Sequence, residues 1–261
     1  MLNIKNPNIA IPIVLIAGIF WSFGPYVVRH IDGANTVPWQ YLFTRGLVIF
    51  ILLNTYLFLE EGFEFYKNYF KIGVSGLVGG IGLGIAMTTF IWSITNTSAA
   101  ITLLCLAAMP FITALLGFLF LKENISISVW ISIFLSAAGI IIMAVGNSSP
   151  GSFFGFLFGM LSSLGFAIFS VSLRWRKETP KFTTVAIAGL FCVLLSGIII
   201  FINESSFLSS GKNQALFATH GSIVCFGLIL YSIGSKHIPA AELTLLSLTE
   251  VIGGIFWVWL P

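Results

Sequence analysis

Charge is scarce in this chain: 12 Lys plus Arg and 9 Asp plus Glu in 261 residues, 8% in all, against about 25% in a soluble domain. That is too little to coat a water-facing surface, so an ordinary soluble body is excluded. The formal net charge of +3 rests on no polar face, so it gives no ground for a nucleic-acid partner. Histidine is nearly as rare. His30, His220 and His237 lie far apart, two of them in loops, and make neither a His-Glu-x-x-His zinc spacing nor a nucleophile with a positioned base. No enzyme is expected, and no metal or cofactor. Cys105, Cys192 and Cys225 all fall inside long apolar runs, which removes a disulfide framework and a spaced metal site and leaves them as small packing residues.

What is plentiful is apolar: 57% hydrophobic residues, with 26 Phe and 26 Gly. A bilayer core about 30 Å thick takes roughly 20 apolar residues per helix, and a helix satisfies its own backbone where no water can. Nine segments reach that length: 9–28, 37–59, 72–94, 99–121, 125–145, 153–173, 185–202, 215–233 and 238–260. The chain reads as an all-α polytopic membrane protein. The first segment has no basic leader and no small-residue cleavage site after a short apolar core, so it is expected to stay as helix one. Connections such as 96–98 and 147–152 leave no room for a soluble domain, and the stretch 174–184, with Arg174, Arg176, Lys177 and Lys181, reads as a membrane-surface loop. Counting Lys and Arg on alternate sides gives nine on the side of Lys5 and two, Arg29 and Lys212, on the other, which places the N-terminus in the cytoplasm and the protein in the cytoplasmic membrane.

The chain also repeats itself. An offset of 141 residues carries Gly18, Ser22 and Gly24 onto Gly159, Ser163 and Gly165, and Ala99-Ala100 onto Ala240-Ala241. Trp92-Ser93-Ile94 matches Tyr231-Ser232-Ile233 at an offset of 139, with Lys236 and His237 as the two extra residues. Five spans is an odd number, so a second copy enters the membrane from the other side and the halves are inverted, 1–147 and 148–261. Inverted repeats are a recurring architecture of secondary transporters, with the solute near the midplane between them. Span five predicts a partner near residues 266–286, past Pro261, so a tenth helix is expected to be missing from this sequence.

These residues resemble the drug/metabolite transporter superfamily, in particular its ten-helix EamA-type members. The likeness is carried by Trp21, by Arg45-Gly46-Leu47, by Met109-Pro110-Phe111 followed by Leu121-Lys122-Glu123, and by the run from Glu250 to Leu260. In similar sequences that run continues to a Gly-Glu pair, whose Glu falls at 264, the position of Glu123 advanced by 141. The resemblance implies transport of a small molecule across the membrane, often export, with no ATPase of its own.

Arg45 stands inside span two, where an arginine near mid-bilayer costs roughly 2.5 to 3.5 kcal/mol and therefore faces a cavity or a partner. It offers paired donors to a carboxylate or phosphate, or else forms a constitutive clamp between helices. Glu250, near mid-depth in span nine, is its expected partner and the candidate for proton coupling, sharing a helical face with Gly254 and Trp257. Trp21, Trp92 and Tyr231 are candidate cavity walls, while Trp39, Trp130, Trp175 and Trp259 suit interface belts. Glu242 and Glu123 sit near the membrane surface, where hydration is easy. Pro25 and Pro110 remove backbone donors within spans one and four and are candidate hinges. Gly76, Gly80 and Gly84, like Gly151, Gly155 and Gly159, make smooth stripes for close helix contact. The reading is a secondary-active carrier of a small metabolite, amino-acid-like or another small organic solute, working by alternating access in the direction of export. Its binding residues are taken as Trp21, Arg45, Trp92, Tyr231, Glu250 and Trp257. The alternative is a membrane-embedded sensor or a transport-incompetent fragment. Oligomeric state is open, a homodimer among the assemblies allowed.

Overall fold

The computed structural model describes residues 9–123, 150–176 and 178–259, with six scattered positions between 127 and 138. Among these the chain is helical, without strands. Its helices are α1 (Ala10–Trp21), α2 (Gly24–Arg29), α3 (Pro38–Glu61), α4 (Lys67–Lys71), α5 (Gly73–Asn96), α6 (Ala99–Leu106), α7 (Met109–Leu116), α8 (Pro150–Trp175), α9 (Lys181–Ile202), α10 (Gly211–Gly234), α11 (Ala240–Ser247) and α12 (Thr249–Trp259). Three of the sequence-read spans are pairs of half-helices: α1 with α2, α6 with α7, and α11 with α12. Eight stretches of the described residues are long and apolar enough to cross a membrane. The fifth span expected from sequence, 125–145, falls largely outside the described residues. Basic residues that read as a long surface loop are partly helical instead: α8 runs through Trp175 and α9 begins at Lys181, so only 176–180 connect them.

The bundle is apolar outside and dotted with hydroxyls inside. Ile19, Leu194, Ile198, Phe226 and Ile252 are exposed, whereas Ser163, Thr183, Ser196 and Thr244 are fully buried. Hydroxyls survive there because most return a bond to the preceding turn, as Thr88 does to the Gly84 carbonyl at 2.8 Å and Ser196 to that of Cys192.

Small residues set the closest approaches. Along α5 and α8, Gly79 meets Ser172, Gly82 meets Gly165 and Ile168, and Ser93 donates to the Gly155 carbonyl at 2.7 Å, so the two helices run antiparallel. A Cβ on Gly165 would lie 2.5 Å from the Gly82 carbonyl oxygen, closer than any side chain permits. Helices α3 and α9 are likewise antiparallel through Gly46 and Gly189. Helix α1 runs against α10, with Val14 beside Gly234 and the Trp21 indole donating to the Val224 carbonyl at 3.3 Å. By contrast α5 and α9 are parallel, Gly80 lying on Ile187 and Gly84 on Phe191. The glycine stripe of α5 therefore serves two neighbours at once, and Gly155 and Gly159 of α8 admit Thr97 and Cys105.

Candidate functional site

Each broken helix has a local cause. Pro25 and Pro110 stand in the first turns of α2 and α7, where their missing N–H leaves the carbonyl one turn back without its helical donor. The α11–α12 break has no proline. There Leu248 donates to the Leu245 carbonyl at 3.1 Å and Val251 to that of Leu248 at 2.9 Å, a tightened turn. The Ser247 hydroxyl caps the Thr244 carbonyl at 2.7 Å, and Thr249 Oγ1 reaches both the Leu246 carbonyl and, across to α1, that of Leu15 at 3.1 Å. Side-chain oxygens that take up carbonyls of the same helix bend it. This third break was missed because only proline was counted as a hinge; the Ser-Leu-Thr triplet at 247–249 was the available signal.

The breaks converge on a cavity of about 60 Å³ accessible to the centre of a water molecule. That is room for roughly four waters. Arg45, Glu250, His220 and Trp21 line it together with Phe90 and Met109, and Ser162 and Phe166 of α8 close another side. Arg45 comes from α3, Glu250 from the first turn of α12, and His220 from α10.

Arg45 is 5% exposed, and its Nε and Nη1 are sealed from solvent without a hydrogen-bond partner. Its guanidinium carbon lies 5.7 Å from the centre of the Phe90 ring, a cation–π contact. Among the described residues it makes no ion pair. The pair with Glu250 expected from sequence is thus not closed: both charged side chains face the same cavity, and neither neutralises the other by contact. A planar guanidinium with open N–H groups is suited to a carboxylate or phosphate.

His220 is 1% exposed and its Nδ1 is hydrogen-bonded to the Tyr41 hydroxyl. Tyr41 precedes Arg45 by one turn of α3, so the tyrosine, histidine and arginine form one polar strip. Sequence reading weighed His220 only as a catalytic or metal residue and set it aside. Its position well inside an apolar span, the criterion already applied to Arg45 and Glu250, was the signal.

The remaining expected residues separate. Trp21 lines the cavity, its ring edge-on to Phe166 at 5.4 Å. Tyr231, Trp92 and Trp257 do not line it. Tyr231 is buried behind Trp21, ring centres 5.4 Å apart, with its hydroxyl on Ser170 Oγ at 2.6 Å. Trp92 packs on Trp39 at 5.2 Å and on Phe158. Trp257 donates to Ser22 Oγ at 2.9 Å and stacks on Phe23 at 4.6 Å, tying α12 to the α1–α2 break. Glu123, read as hydrated helix punctuation, accepts from Arg174 Nε at 2.9 Å, and the same arginine donates to the Ile238 carbonyl at 2.6 Å.

Residues 8–145 match the EamA-like transporter family. The chain is 25% identical over 232 residues to an uncharacterized transporter of Helicobacter pylori (strain ATCC 700392 / 26695), covering 84% of this chain and 76% of that one. It is 23% identical over 217 residues to the uncharacterized transporter YojE of Bacillus subtilis (strain 168), with 82% and 70% covered. It is 20% identical over 187 residues to the protein RarD of Streptomyces exfoliatus, with 70% and 58% covered. A solved crystal structure of a protein shares the fold at a TM-score of 0.70, over 96% of this chain and 88% of that one, at 18% identity. With its eight membrane-length stretches and a family match over more than half its length, the chain is a multi-pass membrane protein that belongs to the EamA-like transporter family.

Proposed function

We propose that this chain is a secondary carrier whose solute presents a carboxylate or similar anionic group to Arg45, in a cavity between two inverted modules, 1–147 and 148–261. The observation that carries the reading is the pair of unpartnered guanidinium nitrogens on Arg45 beside a cavity that residues of both modules line. The offset of 141 supports the modular reading at a second level: it superposes the bounds of α6, Ala99–Leu106, on those of α11, Ala240–Ser247, and both spans break at the next residue. The packing is reciprocal under the same exchange, because α1 lies on α10 while α8 lies on α5. A cavity of about 60 Å³, with room for roughly four waters, is too small for a solute of more than a few heavy atoms, so binding and release require it to widen on one side or the other. The three helix breaks are the places where it does so, Pro25 and Pro110 among the hinges, in the manner of alternating access.

Glu250, on the same cavity, is the residue through which a proton gradient would drive accumulation. The direction of transport is export, and the N-terminus is cytoplasmic. Purified protein in proteoliposomes, loaded in turn with amino acids, nucleosides, polyamines and small organic acids, tests the reading. Flux of at least one carboxylate-bearing solute that Arg45→Ala abolishes is the expected result; binding without flux assigns a sensor instead. For coupling, Glu250→Gln is expected to equilibrate the solute but not to concentrate it under an imposed pH difference. Continued accumulation by that variant removes Glu250 from the coupling step.

A further inference from the structure

A second recess, about 250 Å³ on the same measure, opens between α3, α9 and α10 near Leu57, Glu61 and Lys181. Two hydroxyls in its wall, Thr183 Oγ1 and Ser232 Oγ, are fully buried without a hydrogen-bond partner. Neighbouring hydroxyls on the same helices are satisfied: Thr184 donates to the Pro180 carbonyl at 3.0 Å, Ser222 to that of Ala218 at 3.0 Å, and Ser235 to that of Ser232 at 2.8 Å. Of the three buried hydroxyls without a partner among the described residues, two, Thr183 and Ser232, line the recess, and the third, Thr113 of α7, does not. Lys181 shares its wall and is held by a bond from Nζ to Ser235 Oγ at 2.7 Å, which leaves the ammonium with further N–H groups to give.

Two lysines and two acids line the recess, Lys181 and Lys236 with Glu61 and Glu178, and Glu61 accepts from Asn68 Nδ2 at 2.7 Å. A plain anion or a plain cation meets repulsion from half of them, whereas a molecule carrying both signs does not. Their placement also has a direction. Lys181 and the two buried hydroxyls make an inner, donor-rich end, and Glu61 and Glu178 are exposed at the outer end with Lys236. We propose that this recess is a second binding site, separate from the central cavity, for a small zwitterion such as an α-amino acid, its carboxylate inward on Lys181, Thr183 and Ser232 and its ammonium outward toward the acids. Along α10, Leu228 lines the central cavity and Ser232 lines the recess, one turn or about 6 Å further on. The recess is thus placed to stage solute beside the cavity; that staging role rests on the carrier reading, while the binding does not.

Thiol protection separates the two. Asn68→Cys puts a half-buried thiol in the wall of the recess, with Lys236→Cys, at an exposed position of the same wall, as the substitute if the first variant does not fold; Cys105, Cys192 and Cys225 are buried and give a low background. Labelling by a polar maleimide is followed in detergent with glycine, L-serine or L-methionine, against acetate and methylammonium singly and together. Severalfold protection by at least one amino acid, not reproduced by acetate with methylammonium, retained on adding Arg45→Ala and lost on adding Lys181→Met, is the expected pattern. Protection lost with Arg45→Ala assigns the effect to the central cavity and overturns the proposal. So does protection that survives Lys181→Met, protection by acetate alone, or none by any amino acid. Absence of flux in proteoliposomes leaves this result untouched, so failure of the carrier reading is told apart from failure of the site.

Discussion

Replacing Arg45 with methionine tests whether the arginine is there for the fold or for a ligand. Methionine is nearly as long, so the substitution opens little space and leaves an apolar chain against Phe90. Two buried nitrogens without partners, Nε and Nη1, each cost about 1–3 kcal/mol, so their removal returns roughly 2–6 kcal/mol. Against this stands the loss of the cation–π contact with Phe90 at 5.7 Å, about 0.5–2 kcal/mol. The balance runs from about zero to roughly 5 kcal/mol of net stabilisation. Unfolding in mixed micelles, followed by tryptophan fluorescence, is expected to give a higher midpoint for Arg45→Met than for the parent, together with loss of any ligand-induced shift. A structural clamp predicts the opposite sign: a midpoint lowered by the equivalent of more than about 1 kcal/mol would refute the reasoning, because it would mean that the guanidinium bonds to helices in the working ensemble.

The packing argument predicts opposite signs at two glycines. Gly165→Ala, whose Cβ would lie 2.5 Å from the Gly82 carbonyl oxygen, is expected to destabilise by about 1–3 kcal/mol in the same unfolding assay. Gly197→Ala meets nothing nearer than the Phe43 ring at 3.5 Å and is expected to be neutral or stabilising by up to about 1 kcal/mol through helix propensity. Thr249→Val removes the hydroxyl bond from the α11–α12 break to Leu15; the expected cost is about 0.6 and at most about 1.7 kcal/mol, larger than for Thr95→Val, whose hydroxyl bonds within its own helix. Arg174→Gln unties α8 from Glu123 and from the Ile238 carbonyl. Since the two side chains are 26% and 24% exposed, its cost to stability is about 0.2–1 kcal/mol, but thiol labelling of Ser235→Cys is expected to quicken as that face loosens; unchanged labelling rules out a latch.

Transmembrane character, the approximate positions of eight stretches and the family followed from the sequence itself. They depend on quantities that are local along the chain: twenty apolar residues in a row, a proline without an N–H, a run from Glu250 to Trp257 on one helix. Arg45 and Glu250 could be singled out for the same reason, since a charge within such a run has few low-energy places to be. Depth alone set Trp21 apart, well inside span 9–28, while Trp92, Tyr231 and Trp257 lie near the ends of spans 72–94, 215–233 and 238–260; that these three turn away from the cavity depends on what other helices put beside them. Trp21 meets α8 and α10 at the cavity wall, Trp92 is taken up by Trp39, and Trp257 by Ser22 and Phe23. The role of His220 beside Tyr41 and the open hydroxyls of Thr183 and Ser232 were equally out of reach. A hydrogen bond is an exchange of partners across space, and whether a buried donor finds one is decided only when distant segments are brought together.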